Sequence, residues 1–375
     1  MFFKSSLSKG NITQHLEKFL GIIKYIVLFS LTLIIIIRFY DQNIIAKNIL
    51  SPEIQAIINQ YHPKQPTRGD VRLLVISDLN SAYGSTEYEK EVHLALKMLP
   101  FWQPDLILCS GDMIAGQKLS LTPQQIRSMW EAFDKQIAQP IRQLNIPFAF
   151  TIGNHDASGA KRNNQFTFQQ ERDLAIEYWL NPRHDMGLNL LDRTYYPFYY
   201  TFEHKGIFYL VWDGSTSHIP NDKLAWVEKS LSSSIAQSAK MRVVIGHLPL
   251  YSVAEGRNKA GEVLNNPESL RNLLQKYHVH TYISGHQHAY YPAYKGNLQL
   301  LHTGALGSGA RKLLNHHQPP RKTITVIDID FEDHFLTHYS TYDMANFALI
   351  HYEELPRFIE GINGIVYRRD LSFDR

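Results

Sequence analysis

Five stretches of the chain place side chains able to bind a cation or move a proton directly after an apolar run. They are Leu73-Leu74-Val75-Ile76-Ser77-Asp78, Leu106-Ile107-Leu108-Cys109-Ser110-Gly111-Asp112, Ile146-Pro147-Phe148-Ala149-Phe150-Thr151-Ile152-Gly153-Asn154-His155-Asp156, Val243-Val244-Ile245-Gly246-His247 and Thr281-Tyr282-Ile283-Ser284-Gly285-His286-Gln287-His288. One such coincidence is ordinary turn chemistry, because Asp, Asn and Gly are common turn formers. Five in one chain point to a shared site. Carboxylates, amides and imidazoles can together hold a pair of divalent ions about 3.5 to 4 Å apart, which requires a bridging carboxylate and neutral nitrogen and oxygen ligands on rigid elements. Cys109 is the one cysteine, so an intrachain disulfide and a thiolate zinc cluster are both excluded. Its position inside an apolar run makes it a small core residue.

The apolar runs themselves read as buried strands, and strand ends meeting in one crevice supply the rigidity that such a site needs. Between the first two runs, residues 85–99 have the spacing of an amphipathic helix with Val92, Leu96 and Leu99 on one face. Thr122-Pro123 supplies a cap and a first-turn proline for a helix towards Ile137. This alternation predicts βαβ units and parallel strands. Periodicity weakens from 157 to 198. A hairpin is expected over 199–203 and 207–212 around Lys205-Gly206, then a helix over 222–231 and strands over 243–245, 281–284, 298–301 and 323–328.

A hydrophobic share of 44% over 375 residues is ample for a large core. With 38 basic and 35 acidic residues, the net charge of +3 is too even to suggest a nucleic-acid partner. Residues 20–37 carry Lys24 as their one charge, and 18 residues of helix span about 27 Å, close to the thickness of a bilayer core. Lys4, Lys9 and Lys18 precede this segment, so it is expected to be a membrane anchor with the N-terminus in the cytoplasm and the rest of the chain outside it. An uncleaved anchor is favoured over a signal peptide, since no small-residue cleavage site directly follows Ile37. The expected organisation is a tail and anchor over 1–40 and a connector over 41–69 with a short helix near 52–61. A catalytic domain over 70–345 and a C-terminal extension over 346–375 without assignable chemistry complete it.

In order and wording, Asp78, Gly111-Asp112, Gly153-Asn154-His155-Asp156, Gly246-His247 and Gly285-His286-Gln287-His288 resemble the calcineurin-like metallophosphoesterases. Leu224-Ala225-Trp226-Val227 is similar to that family's helix before the fourth motif. The resemblance implies an α/β fold of two mixed β-sheets packed face to face and flanked by helices, here with one N-terminal transmembrane helix. It implies two divalent metal ions, Mn, Fe or Zn, as cofactors. By position Asp112 would bridge them, Asp78 and His288 would hold the first, and Asn154, His247 and His286 the second. His155 would donate to phosphate oxygens or the leaving group, with Asp156 fixing its tautomer and orientation.

The chain departs from the family pattern at one ligand. The second residue after the first-motif Asp is usually a His, and here it is Asn80, whose amide oxygen is a weaker and harder ligand than imidazole. Purple acid phosphatases also lack that His and use a Tyr three residues after the second-motif Asp, where this chain has Ala115. Tyr83 is a nearby aromatic for which a structural role is the leading reading. The activity implied is metal-dependent hydrolysis of phosphate esters by an activated water. Monoesters and diesters both fit, as do a phosphorylated small molecule, a lipid headgroup or a phosphoprotein as substrate, and no residue is assigned to substrate binding. The competing reading is a membrane-anchored binding or scaffold protein that keeps the fold with a degraded site. Asn80 favours it, and retention of the other ligands argues against it. His302 reads as a core residue, and Arg162, Arg172 and Arg257 as solvent-exposed.

Overall fold

The computed structural model describes residues 22, 24, 25, 29, 50–332 and 336–371. Residues 1–56 form one unit, of which Ile22, Lys24, Tyr25 and Phe29, all helical, and residues 50–56 are described. The expected anchor at 20–37 otherwise lies outside the described residues. Among the described residues no helix is long and apolar enough to cross a membrane. A helix runs from Pro52–Tyr61, as the connector's sequence predicts.

The second unit, 57–375, contains two large mixed sheets. Six strands make the first. At its centre, Val71–Ile76 is buried along its whole length and pairs parallel with Leu106–Cys109, which pairs parallel with Phe148–Phe150. Strands covered on both faces carry continuous apolar runs, which is why these segments show no polar alternation. On the other side Thr323–Asp330 pairs antiparallel with Val71–Ile76, followed by Leu336–Asp343 and Ala348–Leu349. The nine-stranded sheet has a parallel centre of Ile207–Val211, Met241–Ile245, Thr281–Ser284 and Leu298–His302. Antiparallel strands extend it on both sides.

Polar bonds tie the two sheets together close to the strand ends. The Tyr200 hydroxyl donates to the Phe150 carbonyl (2.5 Å) and accepts from its N–H (3.0 Å), and Thr151 Oγ1 donates to the Trp212 carbonyl (2.9 Å). The Ser110 and Thr303 hydroxyls meet at 2.9 Å. These bonds fix where one set of strand ends lies against the other.

The first helix is shorter than its periodicity suggests. It covers Lys90–Lys97, with a separate turn Leu99–Trp102, because Pro100 has no N–H with which to continue the ladder. Pro123–Phe133 is capped as expected, with Thr122 and Gln125 forming a reciprocal capping box. Residues 157–198 are more ordered than their sequence indicates. They contain a small hairpin (Lys161–Arg162 with Gln165–Phe166), the helix Gln169–Trp179 and the strand Asn189–Tyr195. Aromatic packing holds that helix, with Trp179 stacked on Phe150 at 3.7 Å between centroids and Tyr178 on Trp130 at 4.8 Å.

The C-terminal segment packs onto the domain. Phe358–Gly361 and Gly364–Arg368 form a hairpin that joins the nine-stranded sheet, with Ala293 opposite Arg368. Arg368 pairs with Asp370 (2.6 Å) and donates to the carbonyls of Tyr352 and Leu355.

Candidate metal centre

All the motif residues come together where the strands of both sheets end. The ligand atoms of Asp78, Asp112 and His247 lie within 4.8 Å of one another, all three buried. Four of the turn residues, Asp78, Asp112, His286 and His288, hold left-handed φ angles of 50°, 57°, 65° and 54°. Strain of this kind collects at functional sites, where the surrounding structure enforces it. Gly153 is glycine because the chain crosses Asp112 at close range: an added Cβ would stand 2.1 Å from Asp112 Oδ1.

The histidine tautomers follow from what holds each ring. His247 Nδ1 is 2.7 Å from the Ser110 carbonyl, His288 Nδ1 is 3.0 Å from that of Gly309, and His155 Nδ1 is 3.1 Å from that of Gly116. A carbonyl only accepts, so each Nδ1 carries the proton and each neutral ring keeps its Nε2 lone pair free. His286 is reversed. Its Nε2 is 2.7 Å from Glu262 Oε2, which leaves the Nδ1 lone pair 3.3 Å from His247 Nε2.

The free nitrogens therefore face oxygens and one another. His247 Nε2 lies 2.9 Å from Asn154 Oδ1 and 3.3 Å from Asp112 Oδ2, and His288 Nε2 lies 3.2 Å from Asp78 Oδ1. Asp112 Oδ2 and His288 Nε2 are buried without a hydrogen-bond partner among the described residues. Lone pairs packed this way require a positive species between them, and carboxylate, amide oxygen and imidazole nitrogen are the donors that suit divalent transition ions. Burial alone would lower the His247 pKa, but the Asp112 carboxylate raises it to about 9. A proton is thus one solution for that nitrogen, and a divalent ion displaces it. Burial lowers the His286 pKa to about 4, which keeps that ring neutral and its lone pair available. For Asp78, burial is outweighed by His288, which holds the carboxyl below its ordinary value. The residues present fit a cation centre.

Contrary to the expected pairing, Asp156 makes no hydrogen bond to the ring of His155 among the described residues. Its carboxylate accepts four backbone N–H groups instead, from Gly153 (2.8 Å), Asp112 (2.8 Å), Met113 (2.7 Å) and Ile114 (2.9 Å). Burial and the Asp112 charge push its carboxyl up to about 7, against the pull of those amides. The turn that carries Asp112 is thereby clasped to the turn that carries Asn154. We expect Asp156→Ala to lower stability by at least about 4 kcal/mol, since four buried amides lose their acceptor at about 1 kcal/mol or more each. Urea denaturation of the metal-free protein measures this, and a loss under about 1 kcal/mol would contradict the clasp.

What orients His155 is the loop after Asp112. Gly116 accepts its Nδ1–H, and Gln117 Oε1 accepts from Asn154 Nδ2 (2.7 Å). Glu171, from the helix Gln169–Trp179, accepts the Gln117 N–H at 3.0 Å and the Lys118 N–H at 3.3 Å. Sequence reasoning missed Gln117, Glu171 and Glu262, and no local pattern marks any of them.

Asn80 is buried, and its side-chain amide makes no hydrogen bond among the described residues, while its backbone N–H donates to the Asp112 carbonyl (3.2 Å) and its backbone carbonyl accepts from the Ser308 N–H (3.0 Å). Tyr83 is exposed, with its ring 5.1 Å from that of His155. His302 is buried in the core, as expected. Two arginines expected in solvent are not there. Arg172 is buried against Asp213 (2.9 Å) and the rings of Phe166 and Phe198, and Arg257 pairs with Glu262 at 2.5 Å. A cleft of about 990 Å³ opens beside Asn154 and His286, lined also by Tyr83, Gln117, Lys161 and Lys223.

Residues 71–290, more than half of the chain, match the family model of the calcineurin-like phosphoesterases. No curated protein matches the chain at a significant level. Among solved structures, a purple acid phosphatase from yellow lupin seeds is similar with a TM-score of 0.54 at 15% identity, over 76% of this chain and 54% of that one. This chain therefore spans about half of the lupin protein's length, and the likeness is one of fold. GAP50, the anchor in the inner membrane complex of Plasmodium, has a TM-score of 0.46 at 15% identity, over 75% of this chain and 87% of that one. A phosphopantetheinyl hydrolase from Mycobacterium tuberculosis has a TM-score of 0.34 at 14% identity, over 64% and 92%.

Proposed function

Because the chain belongs to the calcineurin-like phosphoesterase family, we propose that it hydrolyses phosphate esters at a two-metal centre. The observation that carries this reading is the pair of buried, unpartnered atoms, Asp112 Oδ2 and His288 Nε2, aimed into a cluster of lone pairs. Asp78, Asp112 and His288 would hold one ion, and Asp112, Asn154, His247 and His286 the other, with Mn, Fe or Zn suiting these donors. When bound, two divalent ions acidify a water, neutralise phosphate charge and align the attack. His155 donates a proton to the leaving oxygen. Its backbone N–H meanwhile holds Asp112 Oδ1 (2.8 Å), so that donor and proposed bridging ligand move together. No side chain needs to form a covalent intermediate.

The substrate is a phosphorylated small molecule, lipid headgroup or phosphoprotein that enters the cleft beside Asn154 and His286. Residues 20–37 anchor the chain with this domain on the non-cytoplasmic side of the membrane. A second reading, a binding or scaffold protein with a degraded centre, draws on Asn80, which stands where the family's pattern has a histidine. One experiment separates them. Membrane and soluble fractions of cells producing the full chain are assayed with aryl phosphate mono- and diesters, with and without added Mn²⁺. Hydrolysis that sediments with membranes and requires the metal is expected. Metal binding without hydrolysis of any ester would favour the scaffold, and activity confined to the soluble fraction would remove the anchor.

A further inference from the structure

We propose that Glu262 is a positioning residue that turns His286 so that Nδ1 faces the metal centre as a ligand. The inference rests on the two-metal reading and assigns a role to a loop that no sequence motif marks. The other three histidines at the site, His155, His247 and His288, are oriented through Nδ1 by carbonyls of the main chain. Among the described residues no main-chain carbonyl meets the ring of His286. Its Nε2 is met instead by Glu262 Oε2 at 2.7 Å, a side chain 24 residues earlier in the sequence and much nearer than Arg257 Nη1 at 3.4 Å. A carboxylate accepts and does not donate, so Nε2 carries the proton and Nδ1 keeps its lone pair. Without this acceptor the ring can equally hold its proton on Nδ1, which puts a hydrogen where the ligand electrons must be. The carboxylate also makes the ring a stronger donor to a cation than a neutral carbonyl would.

The loop that carries Glu262 is held on several sides. Arg257 Nη1 lies 2.5 Å from Glu262 Oε2. Gln287, between His286 and His288, accepts the N–H groups of Val253 (3.0 Å) and Ala254 (3.1 Å) and donates to the Glu262 carbonyl (3.2 Å). From the C-terminal hairpin, Asn363 donates to the carbonyls of Leu250 (2.7 Å) and Leu264 (3.1 Å), and the Ile362 N–H donates to Asn258 (2.7 Å). A side chain on a free loop could not select a tautomer. This one is braced by the motif it serves and by the hairpin.

The test is calorimetric titration of the metal-free full chain in detergent with Mn²⁺, comparing wild type, Glu262→Gln and Glu262→Ala. Wild type is expected to take two equivalents. Glu262→Ala should weaken one of the two by about 10- to 100-fold and leave the other unchanged, the usual cost of losing a partner behind a metal ligand. Glu262→Gln, whose amide oxygen still accepts from Nε2, should fall between. Long-range ¹H–¹⁵N correlation spectra of the histidine rings should show the His286 proton on Nε2 in the wild type and shared between the nitrogens in Glu262→Ala. Two unchanged sites in Glu262→Ala, or equal weakening of both, would overturn the inference while the metal centre stands. A wild type that takes up no Mn²⁺ would overturn the two-metal reading and this inference with it.

Discussion

Asp112→Ala should take up no divalent metal and lose ester hydrolysis down to the rate without enzyme. Asp112 is the ligand proposed to be shared between the two ions. Oδ1 accepts the His155 N–H at 2.8 Å, and Oδ2 lies unpartnered 3.3 Å from His247 Nε2. Its removal also withdraws the charge that stabilises His247 in the metal-free protein. Taking away one partner of a buried charged pair costs about 3 to 5 kcal/mol, because the other is left uncompensated. Asp112→Asn is therefore the better comparison for chemistry. It keeps the size of the side chain and an oxygen for His155, and it should still hold less than one equivalent of Mn²⁺. Elemental analysis after dialysis at limiting Mn²⁺ reads this directly. Two equivalents in Asp112→Ala would show that the centre is not built around this carboxylate.

His155→Ala should do the opposite, retaining both metals while kcat falls by about 10² to 10⁴, the usual contribution of a positioned proton donor. The ring is fixed by Gly116, which already accepts its Nδ1–H. With Nδ1 engaged by Gly116, Nε2 is the nitrogen left to serve the reacting oxygen. KM should change less than kcat, because a donor to the leaving group acts on the transition state more than on the bound ester. Since Asp156 makes no hydrogen bond to this ring among the described residues, its replacement should not reproduce the effect: Asp156 variants should lose stability first and turnover only as a result. Metal loss in His155→Ala equal to that in Asp112→Ala would overturn the division of roles between the two residues.

Much of the fold was legible because it is written locally. Runs such as Leu106–Cys109 and Thr281–Ser284 are apolar throughout, and a segment buried on both faces of a sheet must be. The strands that went unread are those whose burial is decided by distant neighbours. Tyr291–Lys295 and Gly364–Arg368 mix aromatic, charged and apolar residues, and they become strands only because they pair with each other and, on their outer sides, with Leu298–His302 and Phe358–Gly361 respectively. The helix Gln169–Trp179 likewise shows little amphipathic pattern. Its place is set by Trp179 and Tyr178 packing on Phe150 and Trp130, partners at least 29 residues away.

At the site the same division holds, atom by atom. The sequence by itself determined which side chains gather there: an apolar strand followed by Asp, Asn or His delivers that residue to the strand's end, whatever the rest of the chain does. Asp78, Asp112, Asn154, His155, His247, His286 and His288 all obey this rule. Only the tertiary structure decided how each is held. The carbonyls of Ser110, Gly116 and Gly309 select histidine tautomers, but a main-chain group has no residue type that could announce the role. Asp156, which by its motif belongs beside His155, was drawn to four amides because a buried carboxylate is stabilised by every N–H it can reach, and the turn before Ile114 offered three of them. Glu262 meets His286 across a loop anchored by the last strands of the chain. Such contacts arise from where strand ends and loops come to rest against one another, and no stretch of sequence contains both partners.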